Sequence, residues 1–388
     1  MPLPVFSAEF DGQSSVCLAV PRLDLTQFRN YTALRLNVEP GPIVLTGSNG
    51  AGKTSLLEAV SLLAPGRGIR RAKPAQLGRF EADGCPWAVS ARLITPVGEM
   101  SIGTGRDPAD GPAGRRRVHV DGTAARSQAD LARHLAVVWL TPDMDRLFDD
   151  GAIARRRFID RLTVGYDPSH SGRVRTYDRV LRERSRLLRD GRRDPAWLDV
   201  LEERIAAEGV AIVAARRDMV ARLDALTRDG DGPFPGAALA IEGEVEDWLD
   251  SGPALAAEDR LRQALAHSRA RDTETGGASH GPHRSELHAH HLATARPASL
   301  CSTGEQKALL ISIVLAHARL LTQVRGAPPV LLLDEVAAHL DEVRRWALFE
   351  RLTRLGIQVW LTGTDESLFA PLRSLARFFS VVDGTVTS

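Results

Sequence analysis

Residues Gly47-Ser48-Asn49-Gly50-Ala51-Gly52-Lys53-Thr54 fill the pattern G-x-x-x-x-G-K-[ST] completely. An apolar run, Ile43–Thr46, precedes them, and a helical pattern over Thr54–Leu63 follows. No other stretch restricts the fold as much, because strand, glycine loop and helix in that order demand an α/β core. The glycines let backbone N–H groups wrap an anion, and the helix start favours negative charge. Lys53 can reach the β- and γ-phosphates of a nucleotide and the Thr54 hydroxyl can ligate Mg²⁺. The whole loop, Gly47 to Thr54 with Ser55 behind it, is expected to contact ATP. A chance glycine turn is the alternative, and it does not account for the flanking strand and helix.

A second run, Val330-Leu331-Leu332-Leu333-Asp334-Glu335, reads as a buried strand ending in two acids. Many core strands end in an acid, so the run gains meaning only downstream of the phosphate loop. There Asp334 is expected to hold Mg²⁺ through water and Glu335 to polarise the attacking water, with Lys53 as its catalytic companion. About thirty residues earlier, Ser302-Thr303-Gly304-Glu305-Gln306-Lys307 opens a strongly apolar helix. By itself this string is an ordinary helix cap, Ser302 or Thr303 with Glu305 or Gln306 behind it. Its hydroxyl and N–H groups also make an anion site. Its place before the Asp334–Glu335 strand resembles the signature of ABC ATPases, and that reading assigns Ser302, Thr303, Gly304, Glu305 and Gln306 to nucleotide. Ala338-His339-Leu340-Asp341 matches the D-loop position. Thr362-Gly363-Thr364-Asp365 stands where transporters carry a switch histidine, so the Thr362 hydroxyl is expected to sense the terminal phosphate by hydrogen bond.

Between these two halves the pattern changes. Residues 1–20 read as a flexible extension, 21–145 as the first half of the core, 146–282 as a mostly helical arm and 283–388 as the second half. Strands are expected at Leu23–Thr26, Leu34–Val38 and Ile43–Thr46, and 84–126 alternate short β-like runs with breakers. Apolar residues at helical spacing from Val174 to Leu188, and again from Leu198 to Leu226, read as an αα-hairpin. Its longer arm is near thirty residues, about 45 Å. Residues 229–236 and 270–282 read as polar, glycine-containing connections.

Several strings together resemble the RecF family of the SMC/Rad50-type ABC ATPase group. They are Phe28-Arg29-Asn30-Tyr31, the phosphate loop, Arg155-Arg156-Arg157-Phe158-Ile159-Asp160-Arg161, Gly281-Pro282-His283-Arg284, the Ser302–Lys307 signature and Thr362–Asp365. The resemblance implies an ABC-type core and a homodimer closed by ATP between phosphate loop and opposing signature. It also implies binding to double- and single-stranded DNA at gaps or junctions, and the partners RecO and RecR in loading RecA. Slow, DNA-stimulated hydrolysis would reset the dimer. The resemblance also places Arg29 near nucleotide. The glutamine that relatives carry after a mid-chain strand is not evident, since Trp139-Leu140-Thr141-Pro142-Asp143 occupies that region.

Charge is neutral overall, +1, so local excess matters more. Residues 151–228 carry 18 arginines against 12 acids, a net +6. This fits a phosphate-contacting surface or merely a solvated face, and Arg182, Arg186 and Arg189 share helical spacing as candidate DNA contacts. Lysines number three, Lys53, Lys73 and Lys307, and two of them sit inside the strongest motifs. Cys17, Cys85 and Cys301 are scattered and odd in number, which argues against disulfides or zinc and suits a reducing cytosol. The irregular histidine group His280, His283, His288, His290 and His291 makes a poor metal site. The apolar run Ala308–Ala316 is too short to span a bilayer, and the first twenty residues lack a signal-peptide pattern. A cytoplasmic protein without a membrane partner is expected.

Three rivals remain at this point. A transporter nucleotide-binding subunit is opposed by Thr362 and by roughly 250 residues between loop and signature. A chromosome-structuring protein needs coiled-coil heptads over far longer arms. A DNA-binding module with an idle Glu335 stays open.

Overall fold

The computed structural model describes residues 18–79, 86–107, 109, 114–191 and 194–388. The chain divides into two compact units. Unit 1 holds residues 1–145, 231–234 and 310–388, and unit 2 holds 146–230 and 235–309.

Unit 1 opens with β1 (Ala19–Phe28), β2 (Tyr31–Asn37), β3 (Pro42–Thr46) and helix α1 (Lys53–Leu62). Then come β4 (Trp87–Thr95), β5 (Gly98–Arg106), β6 (Arg117–Val120), β7 (Thr123–Ala124) and β8 (Val137–Leu140). Unit 2 follows with α2 (Ala152–Tyr166), α3 (His170–Arg189), α4 (Pro195–Thr227), β9 (Ala237–Glu242), α5 (Glu244–Ser251), α6 (Ala254–His267) and α7 (Arg269–Thr275). It ends in β10 (Glu286–His291), β11 (Arg296–Pro297) and the start of α8 (Thr303–Arg325), a helix that runs through the division at 309. Unit 1 resumes with β12 (Val330–Leu333), α9 (Glu342–Arg354), β13 (Val359–Gly363), β14 (Arg377–Val382) and β15 (Thr385–Thr387).

Two six-stranded sheets build unit 1. One runs β2-β1-β4-β5-β6-β7 and is antiparallel throughout; the other runs β15-β14-β3-β13-β12-β8 and is parallel except at β15. Burial shows why the sequences differ. β4 alternates buried and exposed residues along Trp87–Leu93, as a sheet packed on one face must. β3 and β12 are buried at every position, as parallel strands covered on both faces must be. One apolar cluster takes Leu25 and Val89 from the first sheet, Ile43, Leu332 and Trp360 from the second, and Leu56 and Val60 from α1.

Three expectations need correction. The chain is already in β1 at Ala19, where Ala19 and Val20 are fully buried and Gln358 exchanges two hydrogen bonds with the Val20 backbone; residues 1–17 lie outside the described residues. The second division falls at 309 rather than 282, because β10 pairs with β9 and β11. The polar stretch 270–282 begins as helix α7, whose Asp272 is turned inward onto Arg184 at 2.8 Å. The helix α8 is long and apolar enough by length and composition to cross a membrane, and most of it is buried inside the protein.

In unit 2, α3 and α4 form the expected hairpin, α4 being 33 residues. It is no free arm. Leu201, Ile205 and Val213 of α4 share a core with Tyr177, Val180, Leu261 and Leu265. Arg184 is fully buried there, held by Glu202 and Asp272 at 2.8 Å each.

Candidate nucleotide site

β3 delivers the chain into the phosphate loop, and two glycines explain how tightly it is set. Gly47 has φ 147, and a Cβ there would lie 2.1 Å from the Val381 carbonyl oxygen. Gly52 has φ 121, and its Cβ would meet the Asn30 amide at 2.5 Å and the Tyr31 hydroxyl at 2.6 Å. Those neighbours brace the loop: Asn30 donates to Ala51 O at 3.0 Å, Tyr31 to Gly52 O at 3.2 Å, and the Gly384 N–H to Ala51 O at 3.1 Å. Burial holds the Tyr31 phenol well above its usual pKa, so it stays a donor.

Lys53 folds back over this loop, donating to Gly47 O at 2.7 Å and Ser48 O at 2.9 Å. Burial pulls its pKa down, while Glu335 and Asp334 oppose that shift. Across from it, β12 ends at Asp334, whose Oδ1 accepts from Thr54 at 3.0 Å and from Thr362 at 2.7 Å. Burial pushes the Asp334 carboxyl upward, and the two hydroxyl donors only partly offset this. Neither Lys53 nor Asp334 has an ion-pair partner among the described residues. A buried ammonium hydrogen-bonded to backbone carbonyls and a buried carboxylate hydrogen-bonded to hydroxyls, neither of them ion-paired among the described residues, fit an anionic phosphate tail and a divalent cation. A cleft of about 230 Å³ opens here, lined by Asn30, Gly50, Lys53, Thr54, Arg70 and Glu335 among others.

The remaining candidates separate into three groups. Arg29 lines the cleft, but its guanidinium is committed to Glu58, with Nε at 2.8 Å and Nη2 at 2.7 Å from the two carboxylate oxygens. Arg70 was not anticipated. It lines the same cleft, its guanidinium 3.8 Å from the fully buried Glu58, and only the glycines at 66 and 68 hinted at a shaped turn after α1. Ser48, Asn49, Ala51 and Ser55 belong to the loop and first turn of α1.

The signature string lies in unit 2. Ser302 and Glu305 cap α8 reciprocally: the Ser302 N–H and hydroxyl both donate to Glu305 Oε2 at 2.8 Å, and the Glu305 N–H reaches back to Ser302 Oγ at 3.4 Å. Ser302 and Thr303 are exposed and Gly304 is half-buried. Gln306 departs from the expected set. It is buried, and its amide donates to Asp149 at 3.0 Å and Cys301 O at 3.2 Å, so it is spent on holding the helix start.

Arg182, Arg186 and Arg189 project from α3 as exposed side chains, none with an ion-pair partner among the described residues. The histidines form no metal group among the described residues. His283 instead bridges Tyr177 at 2.7 Å and Ala278 O at 2.9 Å.

The chain resembles known proteins over nearly its whole length. The RecF/RecN/SMC N-terminal domain family matches residues 19–387. A DNA replication and repair protein RecF from Mesorhizobium japonicum is 50% identical over 369 residues, covering 95% of this chain and 97% of that one. One from a Rhizobium etli strain is 46% identical, covering 95% and 98%. Among solved structures, the recombination mediator RecF with an ATP analogue superposes with a TM-score of 0.84 at 22% identity, covering 96% and 98%. The Smc head domain of Pyrococcus furiosus follows at 0.53 and 15% identity, covering 95% of each chain. Likeness on this scale, with 50% identity to one relative, means that the chain belongs to the RecF/RecN/SMC N-terminal domain family, on its RecF branch.

Proposed function

We propose that this protein is an ATP-driven DNA-binding switch of recombinational gap repair and replication restart. One observation carries the reading: Lys53 lines a cleft walled by the phosphate loop, the buried Asp334 is hydrogen-bonded to Thr54 of that cleft, and neither has an ion-pair partner among the described residues. ATP would satisfy Lys53 through its phosphate tail. Mg²⁺, held by Thr54 and by Asp334 through water, would supply charge neutralisation at that tail. Glu335 lines the same cleft and accepts the proton of the water that attacks the terminal phosphorus, as the bond to the bridging oxygen breaks.

A second copy would close the site. Ser302, Thr303 and Gly304 stand at the start of α8 with accessible surface, and the helix start favours an anion. ATP then stabilises the dimer by mass action and hydrolysis releases it. DNA with a gap or junction is bound by the dimer, in part through Arg182, Arg186 and Arg189, and RecO and RecR join it in loading RecA. The relatives support this reading, since they are named for DNA replication and repair and the solved RecF structures for ATP and the RecFOR pathway.

Light scattering with and without ATP and gapped DNA tests it. The parent is expected to dimerise with ATP, and Lys53→Ala to stay monomeric. Ser302→Arg is expected to bind ATP as a monomer without closing. Normal ATP-dependent dimers of Lys53→Ala would refute the proposal.

A further inference from the structure

Thr362 ends the fourth position of β13, beside the strand that carries both acids: Leu361 pairs with Leu333 across the parallel ladder. It is 1% exposed. A threonine hydroxyl has one proton to give, and here that proton goes to Asp334 Oδ1 at 2.7 Å. The Thr362 hydroxyl oxygen in turn accepts the Glu335 N–H at 2.9 Å. One hydroxyl therefore touches the side chain of the first acid and the backbone of the second.

Glu335 needs such a hold. Its φ is 52, a left-handed conformation that a side chain with a Cβ adopts only when its surroundings enforce it. It is also the residue from which the turn Val336–His339 starts, at the D-loop position. Asp334 needs one as well, because its other donor, Thr54, lies on the opposite wall of the cleft at 3.0 Å. Releasing Thr362 leaves the Asp334 carboxylate tied on one side only and the Glu335 N–H without its acceptor.

We infer that Thr362 is a positioning residue, which sets the Asp334 carboxylate and the Glu335 backbone in register with each other and does not itself read the terminal phosphate. The inference rests on the cleft being an ATPase site. A phosphate contact would require the hydroxyl to give up Asp334, whereas the bracket uses it as it stands. The role predicts a loss in turnover and in metal use, with discrimination between ATP and ADP untouched.

Thr362→Val keeps the shape and removes the hydroxyl; Thr362→Ser keeps the hydroxyl. In the full-length protein, Thr362→Val is expected to lower kcat by about 10- to 100-fold and raise the half-saturating Mg²⁺ concentration. Its ATP-to-ADP affinity ratio should stay within about twofold of the parent, while Thr362→Ser recovers most of kcat. Should the valine variant fold poorly by circular dichroism, Thr362→Cys, with its weak donor, serves the same comparison. Parent-level kcat, or selective loss of ATP over ADP affinity, overturns the inference. Glu335→Gln is measured alongside: if it hydrolyses ATP at the parent rate, the ATPase reading of the cleft fails, whatever the Thr362 variants do.

Discussion

Arg29→Met probes whether this arginine serves nucleotide or the fold. Its guanidinium meets both oxygens of Glu58 and donates a third bond to Gln76 O at 2.8 Å. Glu58 is fully buried and Arg29 is 7% exposed. Removing one member of such a pair strands a charge, at about 3–5 kcal/mol, while replacing both by apolar groups is often nearly neutral. Arg70, 3.8 Å from Glu58, can take over part of the neutralisation, so the lower end, about 3 kcal/mol, is expected for Arg29→Met. In a domain of this size that lowers Tm by roughly 6–12 °C. Arg29→Met/Glu58→Met should recover most of the loss. Melting followed by tryptophan emission carries a signal from this unit, through the buried Trp87 and Trp360, beside that of Trp197 and Trp248 in unit 2. ATP titration of the double variant then isolates any direct nucleotide contact. A single variant melting within about 2 °C of the parent would refute the stranded-charge reasoning.

Two further outcomes can be measured independently. In unit 2, burial would raise the Asp160 carboxyl, but His170 at 2.7 Å and the Arg216 guanidinium overcome it and hold the pKa at about 2 against an ordinary 3.8. A depressed folded-state value means stability present above the ordinary pKa and lost as pH falls towards 2. Asp160→Asn should therefore cost roughly 2 kcal/mol in urea unfolding at neutral pH, a deficit that narrows below about pH 4 and closes only near and below about pH 2; a pH-independent deficit would contradict this. Neutralising Arg182, Arg186 and Arg189 together should leave ATP-driven dimerisation intact and flatten the salt dependence of duplex binding by about 0.9 per lost phosphate contact. An unchanged slope would place DNA elsewhere.

How much of this was legible depends on where side chains end up. Ile43–Thr46 and Val330–Leu333 could be read because a strand buried on both faces is an unbroken apolar run. β9 and β10 could not. Ala-Ala-Leu-Ala-Ile-Glu and Glu-Leu-His-Ala-His-His are short, weakly apolar and rich in residues with little strand preference, so only their mutual pairing makes them a sheet. Ala19 and Val20 carry no periodic signal either: Ala19 is held by pairing with Ile94 and Val20 by Gln358, more than three hundred residues away. The helix Arg269–Thr275 looked like a loop because its polar residues were assumed to face water, whereas Asp272 faces Arg184.

The same distinction governs the site and the charged surface. Motif spacing located Lys53, Thr54, Asp334, Glu335 and Thr362, since covalent order along a strand–loop–helix carries over directly into space. It could not show that Thr362 spends its proton on Asp334 or Gln306 its amide on Asp149, nor that Arg70 reaches the cleft, because those depend on contacts between distant segments. The +6 of residues 151–228 raises the opposite question, whether a composition survives folding. Arg184 and Arg216 leave the surface, but they take Glu202 and Asp160 with them as their partners. Two arginines and two acids are withdrawn, so 16 against 10 remain and the excess is still +6. These two pairs remove equal numbers of both signs, whereas Arg155, Arg184 and Arg217 also meet Glu286, Asp272 and Asp250 from outside the segment; Arg182, Arg186 and Arg189 are among the arginines with no ion pair among the described residues.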